Sequence, residues 1–196
     1  NYETYSDADG EDSQNTLGGS ARLNISFSKT LKFTSITSST ESNLVHAYDG
    51  DWANDVYWFE QHGFDSEVEG WSYSFYDKNK KNRKNFTQEL RLSKDKFIFG
   101  MFYKKMNEKD RANGYLFGGL ATDAVSKYDF EALSSYLQFD RDIFSRLKLS
   151  TNFRIEKNTI QYNGTSNGLN DYWESEELPR VNRVTDDFML GYRTSL

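Results

Sequence analysis

Apolar and polar residues alternate along much of this chain with a period of two, the mark of strands whose two faces meet different surroundings. Ala21, Leu23, Ile25 and Phe27 alternate with Arg22, Asn24, Ser26 and Ser28, and Lys29-Thr30 then makes a tight turn. A second strand follows from about 31 to 45. Others are expected over 85–93, 97–106, 128–140 and 146–157, and a seventh from about 187 to the end at 196. The pattern is cleanest at 146–157, where Leu147, Leu149, Thr151, Phe153 and Ile155 alternate with Lys148, Ser150, Asn152, Arg154 and Glu156. No helical stripe competes with these strands, and the polar stretch before Gly18 reads as a loop.

The connections carry as much information as the strands. Short ones (29–30, 94–96 and 141–145) alternate with long, polar, aromatic-rich ones (46–84, 107–127 and 158–186). In an up-and-down meander this puts every short turn at one end and every long loop at the other. Outer-membrane barrels have that asymmetry, with short periplasmic turns and long extracellular loops. A tilted membrane strand needs ~9–11 residues against ~5–6 for an average soluble one, and several runs here reach ten. The expected fold is all-β: an antiparallel, up-and-down transmembrane barrel segment of about seven strands. Because lipid tolerates strands only in a closed sheet, seven strands imply a piece of a larger wall.

Composition narrows the field. The chain is hydrophilic, with a mean hydropathy of -0.83, and acidic, with a net charge of -6, yet 16% of it is aromatic. Disordered chains are aromatic-poor, so the polarity is not that of a disordered tail. With no cysteine, disulfides, thiolate metal sites and cysteine nucleophiles are excluded. The acidic balance argues against nucleic acid as a partner. The one basic cluster, 78–84 (KNKKNRK), reads as a solvated loop.

Four stretches resemble the barrel of TonB-dependent outer-membrane receptors: LKFTSITSS (31–39), FTQELRLS (86–93), FIFGMFY (97–103) and SSYLQFDRDIFSRLKLSTNFRIEKN (134–158). They occur in the order found in that family. The resemblance implies a 22-stranded barrel around an N-terminal plug, in the outer membrane of a Gram-negative bacterium. Such a receptor takes up a scarce nutrient, most often a ferric siderophore, with energy delivered by TonB. On this view residues 1–196 are an internal part of the barrel domain. The plug and TonB would be partners outside it, and a metal–siderophore complex the ligand, with no cofactor and no resident metal.

Candidate site residues follow from position. The loop at 46–84 is rich in aromatics, and Tyr57, Trp58 and Trp71 lie where the surrounding polarity favours stacking on a ligand; packing of the loop on itself is the competing explanation. Glu89, Arg91, Arg154 and Glu156 alternate with apolar positions. They face the lumen as structural charges if Leu90 and Ile155 face lipid, because an arginine at the lipid midplane would cost ~2–4 kcal/mol. The phase of 97–106 stays open, since Ile98 and Phe102 are apolar opposite Phe97, Phe99 and Met101. His46 and His62, with Glu60 and Asp65, lack a recognised metal spacing. Asp7, Asp9 and Glu11 resemble a calcium loop with its glycine misplaced. No nucleophile elbow or phosphate loop is present, so no enzymatic activity is expected. Two alternatives remain: a passive porin-like channel, and a soluble β-sheet module binding carbohydrate.

Overall fold

The computed structural model describes residues 4–117, 119–144, 147–169 and 174–195. It consists of β1 (Glu11–Ser26), β2 (Leu31–Asp49), α1 (Asp55–His62), α2 (Ser66–Glu69), β3 (Phe75–Lys94), β4 (Phe97–Leu116), β5 (Gly119–Phe144), β6 (Leu147–Leu169), β7 (Ser175–Glu177) and β8 (Val181–Ser195). The chain is all-β, with one antiparallel up-and-down sheet in the order β1 to β6. β6 pairs at its far end with the short β7 and along most of its length with β8. β1 and β8 do not pair, so among the described residues the sheet is open.

Side chains directly opposite each other across an antiparallel ladder share a face. One row runs Leu23, Ser35, Leu90, Met101, Ser135, Ile155 and Leu190, and the next Ile25, Phe33, Leu92, Phe99, Leu137, Phe153 and Tyr192. We call this the open face, because Leu92, Phe99 and Phe153 are 42%, 47% and 52% exposed. The opposite, crowded face carries Glu89, Phe102, Ser134 and Glu156 in one row and Arg91, Gly100, Tyr136 and Arg154 in the next. There Ser134 is 2% exposed and Gly100 is buried. The register settles the phase of β4: Phe97, Phe99 and Met101 share the face of Leu90 and Leu92, and Ile98 and Phe102 share that of Glu89 and Arg91.

The apolar character of the open face is confined to the half of each strand nearest the 95–96 turn. Beyond Phe86 the rows become Lys84, Asn107, Asp129 and Gln161, then Asn82, Lys109, Lys127 and Asn163. Ten residues of β3, 85–94, cover the band, ~33 Å along the strand at ~3.3 Å per residue. At a tilt of ~45° that is ~23 Å of height, close to the ~25 Å apolar band of a transmembrane barrel. Among the described residues no second layer covers it. The buried apolar side chains among the described residues are Ala47, Ala53, Ala121 and Ala132. A leucine or phenylalanine left in water forgoes ~1.5–3 kcal/mol that burial would supply.

Several expectations need correction. Among the described residues eight strands form, not about seven, and the long ones run well past their apolar halves. Most of the polar stretch before Gly18 is the first half of β1, paired residue by residue with β2. The basic cluster 78–84 is strand, within β3. The expected loop 107–127 is largely paired strand, since β4 extends to Leu116 and β5 starts at Gly119. The last strand begins at Val181, and β6 continues to Leu169. The long-loop, short-turn asymmetry therefore survives between β2 and β3 but not between β4 and β5. Alternation of apolar with polar residues vanishes where both faces of a strand are polar, although the backbone ladder continues.

Candidate functional site

The one long connection lying wholly among the described residues, 50–74, is organised by local hydrogen bonds. Asp49, at the end of β2, accepts at Oδ1 from the backbone N–H groups of Asp51 (3.2 Å) and Trp52 (3.1 Å). This Asx-type turn holds Trp52 in the left-handed region at φ 58°, a conformation costly for a bulky side chain. Asn54 then caps α1, accepting from the Tyr57 N–H at 2.9 Å. Gly63 ends the helix at φ 68° while its N–H and that of Phe64 satisfy the last carbonyls, as in a Schellman close. Asp65 and Gly70 cap α2 in the same way.

The aromatic side chains pack largely on each other. Trp58 stacks on Tyr73 with centroids 4.3 Å apart, and Trp71 lies 4.6 Å from Phe64, 4.8 Å from Tyr73 and 4.8 Å from Phe117 at the hairpin tip. Tyr57 meets Trp58 edge-on at 5.6 Å and reaches Tyr5 at 5.3 Å. The three predicted ligand residues are thus brought into one cluster, joined through Tyr73, which roofs the β4–β5 hairpin. Trp71 keeps 38% of its surface exposed. Trp52 and Phe59, which carry more free surface at 70% and 56%, were not singled out from sequence.

Beneath this cluster, carboxylate oxygens of Asp7, Asp49 and Asp51 lie within 4.8 Å of one another. The Trp58 indole donates to Asp51 Oδ2 at 3.2 Å, and the Asp7 N–H donates to Asp49 Oδ2 at 3.3 Å. Burial pushes the Asp51 carboxyl up to about 6, and the adjacent Asp49 adds to the effect. Asp7 is raised for the same two reasons. A proton on Asp51 relieves the repulsion between neighbouring carboxylates. The calcium-loop set does not assemble: Asp7 joins Asp49 and Asp51, whereas Glu11 pairs with Lys78 at 2.8 Å. Nor do the histidines meet. His46 lies 3.6 Å from Asp12, and His62 packs 5.0 Å from the Trp58 ring.

On the crowded face the four predicted charges form two pairs within strands. Arg91 donates to Glu89 Oε1 at 2.7 Å, and Arg154 Nε donates to Glu156 Oε2 at 2.9 Å. Tyr136 ties the first pair to β5, donating to Glu89 Oε1 at 2.5 Å and accepting from Arg91 Nε at 3.1 Å. It reaches Glu89 by lying across Gly100, where any Cβ would overlap its ring. Tyr136 and Gly100 escaped the sequence reading; only the register shows them opposite each other. This network holds its charges in pairs within each strand.

No protein-family model, curated protein or solved structure matches this chain.

Proposed function

We propose that this sheet is a section of the wall of an outer-membrane barrel of the TonB-dependent receptor type, with the 50–74 loop and the β4–β5 tip at the outer mouth. The observation carrying this reading is the uncovered apolar band on one face, close in height to the apolar band of a transmembrane barrel, with paired charges behind it. In a closed barrel the open face would meet lipid and the crowded face would line the lumen or contact a plug. The work would be binding and passage of a scarce nutrient, such as a ferric siderophore, with no bond made or broken in the cargo. Trp71, linked through Tyr73 to Trp58 and Tyr57, offers a ring face at the mouth. Glu89, Arg91, Arg154 and Glu156 brace the lumenal side.

A soluble carbohydrate-binding module accounts less well for the band, since it would leave Leu92, Phe99 and Phe153 in water; exposed apolar patches of this extent mark interaction surfaces. A passive channel shares the wall but needs neither plug nor TonB. Fractionation of cells expressing the full-length gene product tests the membrane assignment, with recovery in the outer-membrane fraction expected. Native protein in the soluble fraction would refute both barrel readings. Growth of a deletion strain on single iron, cobalamin or glycan sources identifies the cargo, and TonB-independent uptake would favour the passive channel.

A further inference from the structure

We infer that the open face carries a docking site for phosphate-bearing lipid head groups, between β2 and β5 just beyond the apolar band. The inference rests on the membrane reading above. Two successive rows of that face hold cations and no carboxylate: Asn43, Asn82, Lys109, Lys127 and Asn163, then Val45, Lys80, Arg111, Val125 and Thr165. A depression of about 310 Å³ is lined by Lys80, Lys109, Arg111, Asn82, Val45 and Val125. Asp110 borders it too but belongs to the crowded face, where it pairs with Lys81 at 3.1 Å.

The charges here are not all neutralised. Arg111 forks onto Asp123 at 3.0 and 2.7 Å, and Lys127 pairs with Asp129 at 2.8 Å. Lys80 and Lys109 are exposed and make no ion pair among the described residues. A chain with net charge -6 thus sets two unpaired ammonium groups and a guanidinium around a hollow floored by two valines. That combination suits a phosphate with apolar material attached.

Position selects the lipid source. Lys109 and Lys80 lie four and six residues past the Phe86 row, ~9 and ~14 Å further along the membrane normal for strands tilted ~45°. Lysine stems lean back toward an apolar boundary while keeping the charge in water, which brings these ammonium groups to head-group level. Cations beside a membrane surface attract anionic lipid at ~1 kcal/mol each, about fivefold in affinity.

The test uses full-length gene product reconstituted in phosphatidylcholine vesicles with and without phosphatidylglycerol. Insertion is read by protease protection, and lipid preference by the lipid retained after mild detergent extraction. The expected result is insertion in both vesicle types and retention of phosphatidylglycerol over phosphatidylcholine. That preference should fall about fivefold in K80Q and again in K80Q/K109Q, and stay unchanged in K104Q on the opposite face. Failure to insert in either vesicle would sink the wall reading itself. Insertion without a preference, or a preference untouched in K80Q/K109Q, overturns the lipid site alone. Equal competition by millimolar inorganic phosphate would also overturn it, by making this a site for free phosphate.

Discussion

The two halves of each long strand obey different rules. From 85 to 94, β3 alternates between an apolar open face and a charged crowded face; from 75 to 84 it is polar on nearly every position. The ladder to β4 continues unbroken through both halves, from Phe75 opposite Leu116 to Lys94 opposite Phe97. Backbone pairing is therefore common to both, and only the character of the side chains on the open face differs. In the first half the side chains are chosen by what covers the sheet. In the second they are chosen by each other: Lys81 meets Asp110 at 3.1 Å, Arg83 meets Glu108 at 2.5 Å and Arg111 meets Asp123 at 2.7 Å.

This contrast can be broken most forcefully by F153R, which puts a charge in the middle of the apolar band. A loss of ~2–4 kcal/mol in membrane-assembled stability is expected. Thr165→Arg, on the same face in the polar half, should stay within ~0.5 kcal/mol. Urea titration of the reconstituted protein measures both, and equal effects would erase the distinction between halves. Next in size, G100A drives a methyl into the Tyr136 ring. Overpacking of this kind costs ~1–3 kcal/mol, and the combination with Y136A should recover part of it.

Smaller effects separate the mouth from the wall. Asn54→Ala removes the α1 cap and should cost ~1 kcal/mol, read as faster amide exchange across 55–62 with β3 and β4 unchanged. The smallest expected effect is a pH response. Asp51 is raised to about 6 by burial and by Asp49, so the folded loop holds a proton that the unfolded chain, at its ordinary value of 3.8, has released. Between those values the folded state binds more protons, and its stabilisation falls as pH rises and is lost above about 6. Trp58 emission should follow that midpoint through the indole bond to Asp51, and D51N should flatten the profile.

How much of this was legible in the sequence depended on which half a residue occupied. Leu147 to Ile155 declared their strand by alternation. Residues 78–84 did not, because Lys78, Lys80, Asn82 and Lys84 on one face and Asn79, Lys81 and Arg83 on the other give no hydrophobic period. Their signal is complementary charge on the neighbouring strand, readable only once the register is known. The helices were signalled after all: Asn54 and Gly63 bracket α1, and Asp65 and Gly70 bracket α2, but stretches this short show no stripe. Aromatic density located Tyr57, Trp58 and Trp71 in one loop. It gave no hint that Asp7 would meet Asp49, a neighbour 42 residues away in the chain.

The two-residue connection Asp95-Lys96, with Asp95 at φ 50°, has a consequence for assembly. Because the ladder on either side of it is continuous, its length acts as an index mark for both strands. One residue more or less would turn one strand over against the other, exchanging Phe99 for Gly100 on the open face if β4 turns, or placing Arg91 in the band if β3 does. Lengthening this turn by a single residue should therefore disorder the wall more than a much larger insertion in the 50–74 loop.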